Sequence, residues 1–221
     1  MAFIIENTGG GNYEACPAGM HLARCYQVID LGTQKEEYQG EVKFLRKIRI
    51  DWEIHGTDDD GNSIKMKDGR PYSVKKEYTR TWADTGNLKK DLQSWRNKPF
   101  TPEEQNKFEI DNIVNAWCML NVTQSTSKKG KIYSKIIGVS PVPSVIKQAG
   151  FSPAVNQNVI FDFNDPKMDM FNKINKYVQQ TIKESPQWER LPQSLKDLAI
   201  TSDSAPEAGI ADDADSDIPF N

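Results

Sequence analysis

The stretch 44–55 constrains the fold most, because its side chains alternate between apolar and polar over most of its length. One parity carries Phe44, Ile48, Ile50, Trp52 and Ile54, and the other carries Lys47, Arg49, Asp51, Glu53 and His55. A period of two is typical of a β-strand with one face on a core and the other in water. We therefore predict a half-buried strand here.

Further strands and one change of period set the order of elements. Strands are also predicted at 22–31, 72–82, 116–123 and 132–139, which makes five within residues 16–150. Between the third and fourth strands, Leu88, Leu92 and Trp95 lie four and three residues apart, which predicts a helix over 87–96. Thr101 and Glu104 form a capping-box pattern, with Pro102 in the first turn, and predict a second helix start. The chain is thus expected to be mainly β with helices.

The chain divides into four parts by composition. They are a flexible N-terminal lead-in (1–15), a main domain (16–150), an extension (151–200) with a strand at 159–163 and a helix at 168–184, and an acidic tail (201–221). The tail is too polar to bury and is expected to be disordered. The extension is expected to pack on the main domain, and the alternative is contact with a second copy.

The net charge of −3 is the sum of a basic segment and an acidic segment. Residues 16–150 hold 22 Lys and Arg against 17 Asp and Glu, whereas 201–221 hold six acids and no base. A basic domain with an acidic tail is compatible with nucleic-acid binding, although the surplus is modest. Apolar runs stay well short of a membrane span and the N-terminus lacks a signal-peptide pattern, so we expect a cytoplasmic protein.

The chain ends Asp212-Asp213-Ala214-Asp215-Ser216-Asp217-Ile218-Pro219-Phe220-Asn221. The acids would keep this segment extended, and its apolar tip could then enter a pocket ringed by basic residues on a partner. The ending resembles the C-terminal tip of bacterial and phage single-stranded DNA-binding proteins, which docks replication and repair enzymes. We expect Asp212, Asp213, Asp215, Asp217, Ile218, Pro219 and Phe220 to dock partners in this way. The alternative is a tail that only keeps the protein soluble.

Three internal segments carry a second resemblance. They are Pro17-Ala18-Gly19-Met20-His21-Leu22-Ala23-Arg24, then 87–96 followed by Lys98-Pro99-Phe100, and Lys129-Gly130-Lys131-Ile132-Tyr133. Over residues 15–165 the chain is similar to a family of phage-encoded single-stranded DNA-binding proteins. That resemblance implies a five-stranded oligonucleotide-binding (OB) barrel with its helix between strands three and four. It also implies a bacteriophage protein acting in the cytoplasm of the bacterial host.

Binding a single strand requires cations along the phosphates and flat rings under the bases. The candidate residues are Arg24 and Tyr26 on the first strand, Lys47 and Arg49 on the second, Lys76, Tyr78, Arg80 and Trp82 on the third, and Lys128, Lys129, Lys131 and Tyr133 at the last hairpin. The alternatives are a solvated strand face, a core position or an ordinary basic turn. Trp52 and Trp95 are expected in the core, and Trp117 is a further ring that could face a base.

The sequence carries none of the common enzyme signatures. It has no Walker phosphate loop and no Gly-x-Ser-x-Gly turn, and its three cysteines lack zinc-site spacing. We therefore expect a binding protein without catalysis, cofactor or metal.

The expected function is to coat and protect single-stranded DNA, without strong sequence preference, during phage DNA replication, recombination and repair. The tail would recruit a polymerase, helicase, primase or nuclease, and self-association stays open. The alternatives are a recombination mediator or strand-annealing protein, a magnesium-dependent nuclease using Asp58, Asp59 and Asp60, and a scaffold that docks partners without DNA.

Overall fold

One long strand, β1 (Gly19–Tyr38), organises the molecule. The computed structural model describes residues 14–58, 60–128 and 130–199. The strands that join β1 are β2 (Glu41–Ile54), β3 (Ser73–Thr79), β4 (Trp117–Thr126), β5 (Ile132–Ser140) and β6 (Val159–Phe161). The antiparallel order is β3-β2-β1-β4-β5, and β6 pairs in parallel with Gln27, Val28 and Ile29 of β1. The prediction of a mainly β chain with helices is confirmed. The strands form a mainly antiparallel sheet, and in the described residues this sheet is not closed into a barrel.

A β-bulge divides β1 into two halves. Cys25 pairs with Trp52 and Gln27 pairs with Asp51, so Tyr26 is the extra residue. Before the bulge the free edge of β1 pairs with β4, and after it the same edge pairs with β6. The extension therefore adds a strand to the main sheet.

The described helices lie between β3 and β4, between β5 and β6, and after β6. The first is α1 (Asn87–Arg96), at the predicted bounds and between β3 and β4. The others are α2 (Pro102–Lys107), a 3-10 helix (Ile110–Ile113), α3 (Ser144–Ala149), α4 (Met168–Phe171), α5 (Lys176–Lys183), α6 (Pro186–Glu189) and α7 (Gln193–Lys196). The capping box at Thr101 and Glu104 is present as predicted. Within the part of the chain described, every helix is too short or too polar to cross a membrane.

The single helix predicted over 168–184 is wrong, because α4 and α5 are separate. Asn175 accepts a hydrogen bond from the backbone N–H of Tyr177 at 2.9 Å and so begins α5 anew. The buried Gln179 side chain donates to the carbonyls of Phe171 and Ile174, which provides the chain at the break with side-chain hydrogen bonds.

Two apolar cores lie against β1. The larger one packs the sheet on α1 and includes Trp52, which is fully buried as predicted, with Leu88 and Leu92 of the helix. Trp95 packs against this core while half-buried, and its ring nitrogen donates to the carbonyl of Trp117 at 2.9 Å. The smaller core joins Ile29 and Leu31 of β1 to β6 and the C-terminal helices.

The prediction that β2 is half-buried is wrong in two ways. From Ile48 to Ile54 the strand is buried on both faces, because the charged residues between the apolar ones are paired beneath other chain segments. At its other end β2 continues with β1 into a projecting hairpin, where Phe44 is 67% exposed. Phe44 therefore lies outside the core, although it shares the parity of the buried apolar residues of β2.

Candidate nucleic-acid interface

One side of the sheet contains two parts with opposite properties. Arg24 pairs in register with Glu53 on β2 and with Trp117 on β4, so all three side chains lie on the same side. We call the β1–β2 part the covered face; its polar residues are Arg24, Gln27, Arg49, Asp51 and Glu53. We call the β4–β5 part the open face; it carries Trp117, Met119, Asn121, Thr123, Ser125, Tyr133 and Lys135.

Arg24 is held in the covered face by partners on all three nitrogens of its guanidinium. Its Nε donates to Glu53 at 2.7 Å, and its terminal nitrogens donate to Asn115, to Asn158 and to the Asn156 carbonyl. The residue is 1% exposed. The prediction that Arg24 contacts phosphate is corrected, because its guanidinium is enclosed and already hydrogen-bonded.

Glu53 is the other half of this pair and shows how the face is covered. Burial alone would raise the pKa of its carboxyl. Hydrogen bonds from His55, from Arg24 and from the backbone N–H groups of Asn156 and Val155 outweigh burial and lower the pKa to about 2. A segment of the extension, more than 100 residues away in sequence, therefore lies over the β1–β2 strands.

Tyr26 and Arg49 are also enclosed in the covered face. Arg49 donates to both carboxylate oxygens of Asp51, at 2.7 and 2.9 Å, and is 2% exposed. The Tyr26 hydroxyl is hydrogen-bonded to Ser73, and burial followed by the nearby Asp51 charge raises the Tyr26 pKa. Both predicted binding roles are corrected for the same reason as that of Arg24.

The predicted cations Lys47 and Lys76 are paired and largely enclosed. Lys47 forms an ion pair with Glu36, and its side chain is 14% exposed. Lys76 forms an ion pair with Asp91 of α1 at 2.7 Å, and the buried Tyr78 donates its hydroxyl to the same carboxylate at 2.8 Å. The ring of Tyr78 belongs to the main core, so its predicted role in stacking is corrected.

Arg80 and Trp82 lie at an acidic cleft of about 700 Å³. Arg80 pairs with Asp30 at 3.0 Å, and Trp82 packs on Phe100 and Phe108 with ring centroids 4.9 and 5.8 Å apart. The acids that line this cleft are Asp30, Glu109, Asp111 and Asp162, and its lining cation is Arg80. Such a surface repels phosphate, so the predicted binding role of these two residues has no support here.

The open face combines accessible polar, cationic and aromatic groups. On β4, its residues alternate with the buried Cys118, Leu120 and Val122, which hold the strand on the main core. On β5, Tyr133 pairs with Ser125 and Lys135 pairs with Thr123, so their side chains project on the same side. Tyr133 and Lys135 are each half-buried, so part of each residue remains accessible.

The hairpin tip extends this face with further cations. Lys128 and Lys131 are exposed, whereas Lys129 lies outside the described residues. Gly130 has φ of 77°, the left-handed conformation that the turn requires. The structure thus brings together Lys128, Lys131 and Tyr133 from the sequence-predicted set.

Trp117 ends the open face beside a second cleft, of about 760 Å³. Trp117, Trp95, Phe100 and Phe108 all line this cleft, and its cations are Arg96 and Lys147. Arg96 lies over the Phe100 ring at 4.2 Å from its centroid and pairs with Glu104. Trp117 therefore connects the open face to an aromatic and basic cleft.

Sequence reasoning missed several residues of this surface. Lys135 had a usable signal, because it shares parity with Lys131 and Tyr133 along the strand. Met20, 54% exposed and paired with Asn121, and Ile137, 55% exposed at a bulge, had none. Phe151 also lacked a signal, because its contact with Trp117 depends on tertiary packing.

The predicted tail tip and part of the predicted Asp58–Asp60 cluster lie outside the described residues. The tail tip, from Asp212 to Phe220, lies outside the described residues, as does Asp59. The Asp58 carboxylate accepts the backbone N–H groups of Asp60 and Asn62, and Gly61 takes positive φ, as in an ordinary polar turn. Within the described ranges, His, Cys, Asp and Glu are nowhere grouped in threes as a metal site.

Comparisons with known proteins add no relative. A scan against protein-family models gives no match, and a search of curated proteins finds no significant similarity. Neither a family nor an activity therefore follows from similarity to another protein.

Proposed function

We propose that this protein binds single-stranded DNA along the open face, from the β4–β5 hairpin to Trp117. The observation that carries the proposal is the pairing of Tyr133 and Lys135 with Ser125 and Thr123 on one accessible side of the sheet. A ring and an amine are thus fixed side by side on rigid strands. Single strands are bound by this combination of stacking and phosphate contact.

The rest of the open face suits an extended strand. Asn121, Thr123 and Ser125 offer hydrogen-bonding groups, and the exposed Met20 side chain offers apolar surface to a base. Along β4, Ser125 and Trp117 are eight residues apart, which corresponds to about 26 Å at roughly 3.3 Å per residue. Contacts of this kind do not encode base identity, so binding is expected to be largely independent of sequence.

We also propose that the sheet is a partly open OB barrel. The strand order β3-β2-β1-β4-β5 agrees with that fold, and Cα atoms of β3 and β5 approach within 8 Å although their ladders do not join in the described residues. Helix α1 contacts both strands across this gap. An OB barrel binds oligonucleotides on the face of its second and third strands and with its β1–β2 and β4–β5 loops. The β4–β5 hairpin of the open face corresponds to the second of these loops.

In the phage setting that the resemblance implies, the protein would protect transient single strands in the bacterial cytoplasm. The acidic tail would recruit replication or recombination enzymes, with the Asp-Ile-Pro-Phe ending as the docking element. Division of the chain into a binding domain and a docking tail remains part of this proposal.

The test is a fluorescence-anisotropy titration of labelled oligo-dT and of duplex of equal length, at low and moderate salt. We expect tight binding to oligo-dT that weakens with salt as counterions are released, and much weaker binding to duplex. Equal affinity for the two DNA forms, or no binding to either, would overturn the proposal and leave a scaffold that docks partners without DNA.

A further inference from the structure

An exposed aromatic ring continues the open face beyond Trp117. The rings of Trp117 and Phe151 are stacked, with centroids 4.4 Å apart and planes at 8°. His55 contacts Trp117 edge-on, with centroids 4.8 Å apart. Phe151 is nevertheless 40% exposed, so a large apolar ring lies partly in water at the end of an aromatic stack.

The backbone holds Phe151 in place from both sides. On one side, Gly150 ends α3 with φ of 85°, a conformation that turns the chain sharply and that other residues rarely adopt. On the other side, Val155 and Asn156 are anchored to the buried Glu53 carboxylate. A ring fixed in this way loses little conformational freedom when a ligand stacks on it.

The surroundings of Phe151 suit a nucleotide. Trp117, on which it stacks, is the end residue of the open face and also lines the aromatic cleft. Lys147, which lines that cleft, is exposed on the helix immediately before Phe151. A base and a phosphate could therefore be met by adjacent parts of the same short segment.

We propose that Phe151 is a stacking platform for one base of the bound strand, next to the base-and-phosphate track on the open face. The base would lie on the exposed side of the ring and extend the stack formed with Trp117, while Lys147 contacts an adjoining phosphate. This inference rests on the proposed single-strand binding and adds a site from the C-terminal extension to it.

The test compares Phe151→Leu, which keeps apolar packing but removes the flat ring, with Phe151→Trp, which restores a ring. Oligo-dT affinity of Phe151→Leu should fall by about 5- to 150-fold, as loss of one stacked base predicts. Phe151→Trp should bind within about threefold of the parent. Tyr177→Leu, which removes a ring that is 48% exposed on α5, is the matched control and should leave affinity unchanged.

Tryptophan fluorescence gives a second readout. Saturating Phe151→Trp with oligo-dT should quench a larger share of its emission than in the parent protein, because the new indole is covered by a base. Thermal melts of each variant establish that it is folded. A folded Phe151→Leu with parent affinity, or emission from the introduced indole that DNA leaves unchanged, would overturn the inference.

The outcomes separate the inference from the function on which it rests. If the parent protein fails to bind oligo-dT, the proposed function falls and the platform falls with it. If the parent binds but Phe151→Leu binds equally well, the function stands and only the platform is wrong. If Phe151→Leu loses thermal stability but keeps its affinity, the ring serves packing alone and the inference is again wrong.

Discussion

The covered face and the open face lie on one side of the same sheet, yet they differ in what is left for a ligand. On the covered face, Arg24 and Arg49 are each less than 3% exposed and each paired with a carboxylate. On the open face, Tyr133 and Lys135 remain accessible. A strand that alternates cations with other residues therefore becomes a binding surface only where no later part of the chain covers it.

The largest expected effect comes from breaking the covered face. Arg24→Ala leaves the Glu53 carboxylate buried without its guanidinium partner. We expect a loss of about 3–5 kcal/mol in the free energy of unfolding, measured by urea denaturation at neutral pH. Lys43→Ala is the control, because its pair with Glu41 is exposed and should be worth less than about 1 kcal/mol. Equal small losses in both variants would mean that the covered face is not tightly closed.

Acid should open the same face. The pKa of Glu53 is lowered to about 2 in the folded protein, so its contribution is complete above the unfolded pKa and is lost as pH falls toward 2. The contribution is on the order of 3 kcal/mol at about 1.4 kcal/mol per pKa unit. Urea midpoints measured between pH 5 and 2 should therefore fall more steeply for the parent than for Glu53→Gln. Parallel curves would contradict the assigned network.

On the open face, the largest effect is expected at Tyr133. Tyr133→Ala should weaken oligo-dT binding by about 1–3 kcal/mol, whereas Tyr133→Phe should keep most of it because the ring remains. Anisotropy titrations measure both variants, with unfolding curves to separate binding from stability. If Tyr133→Phe lost as much affinity as Tyr133→Ala, the hydroxyl rather than stacking would be responsible.

The smallest effect concerns one amine. Lys135→Ala should reduce the slope of log affinity against log salt by about 0.7, as expected for one lost phosphate contact with a single strand. Lys167→Ala removes a cation that is 63% exposed next to Asp165 and should leave the slope unchanged. Titrations at four or more salt concentrations determine both slopes. An unchanged slope in Lys135→Ala would mean that the bound DNA does not contact Lys135 on β5.

The sequence predicted the positions of helices and strands better than the burial of their side chains. Local patterns specified helix α1 to the residue and the capping box at Thr101, because caps and periodicity act over a few residues. They failed for β2, because the partners of Glu53 include Val155 and Asn156 from the extension. The break between α4 and α5 was missed although it had a local signal, because Asn175 is the N-cap that begins α5.

The candidate site shows the same limit. Lys131 and Tyr133 were predicted from a hairpin pattern, in which turn and strand lie next to each other in sequence. Arg49 carried an equally good pattern, but its carboxylate partner Asp51 lies two residues away and the pair is buried together. Phe151 contacts Trp117 only in the folded protein, so no spacing of residues in the sequence predicts this contact.

The most direct test of the central claim is photo-crosslinking of the full chain to oligo-dT containing 5-bromodeoxyuridine, followed by mass spectrometry of the peptides. Aromatic rings stacked on the bases crosslink most readily, because they donate an electron to the excited bromouracil. The account predicts crosslinks in the peptides that contain Trp117 and Tyr133. Crosslinks confined to the peptides that contain Tyr26, Tyr78 or Trp82 would place the strand elsewhere on the molecule and contradict it.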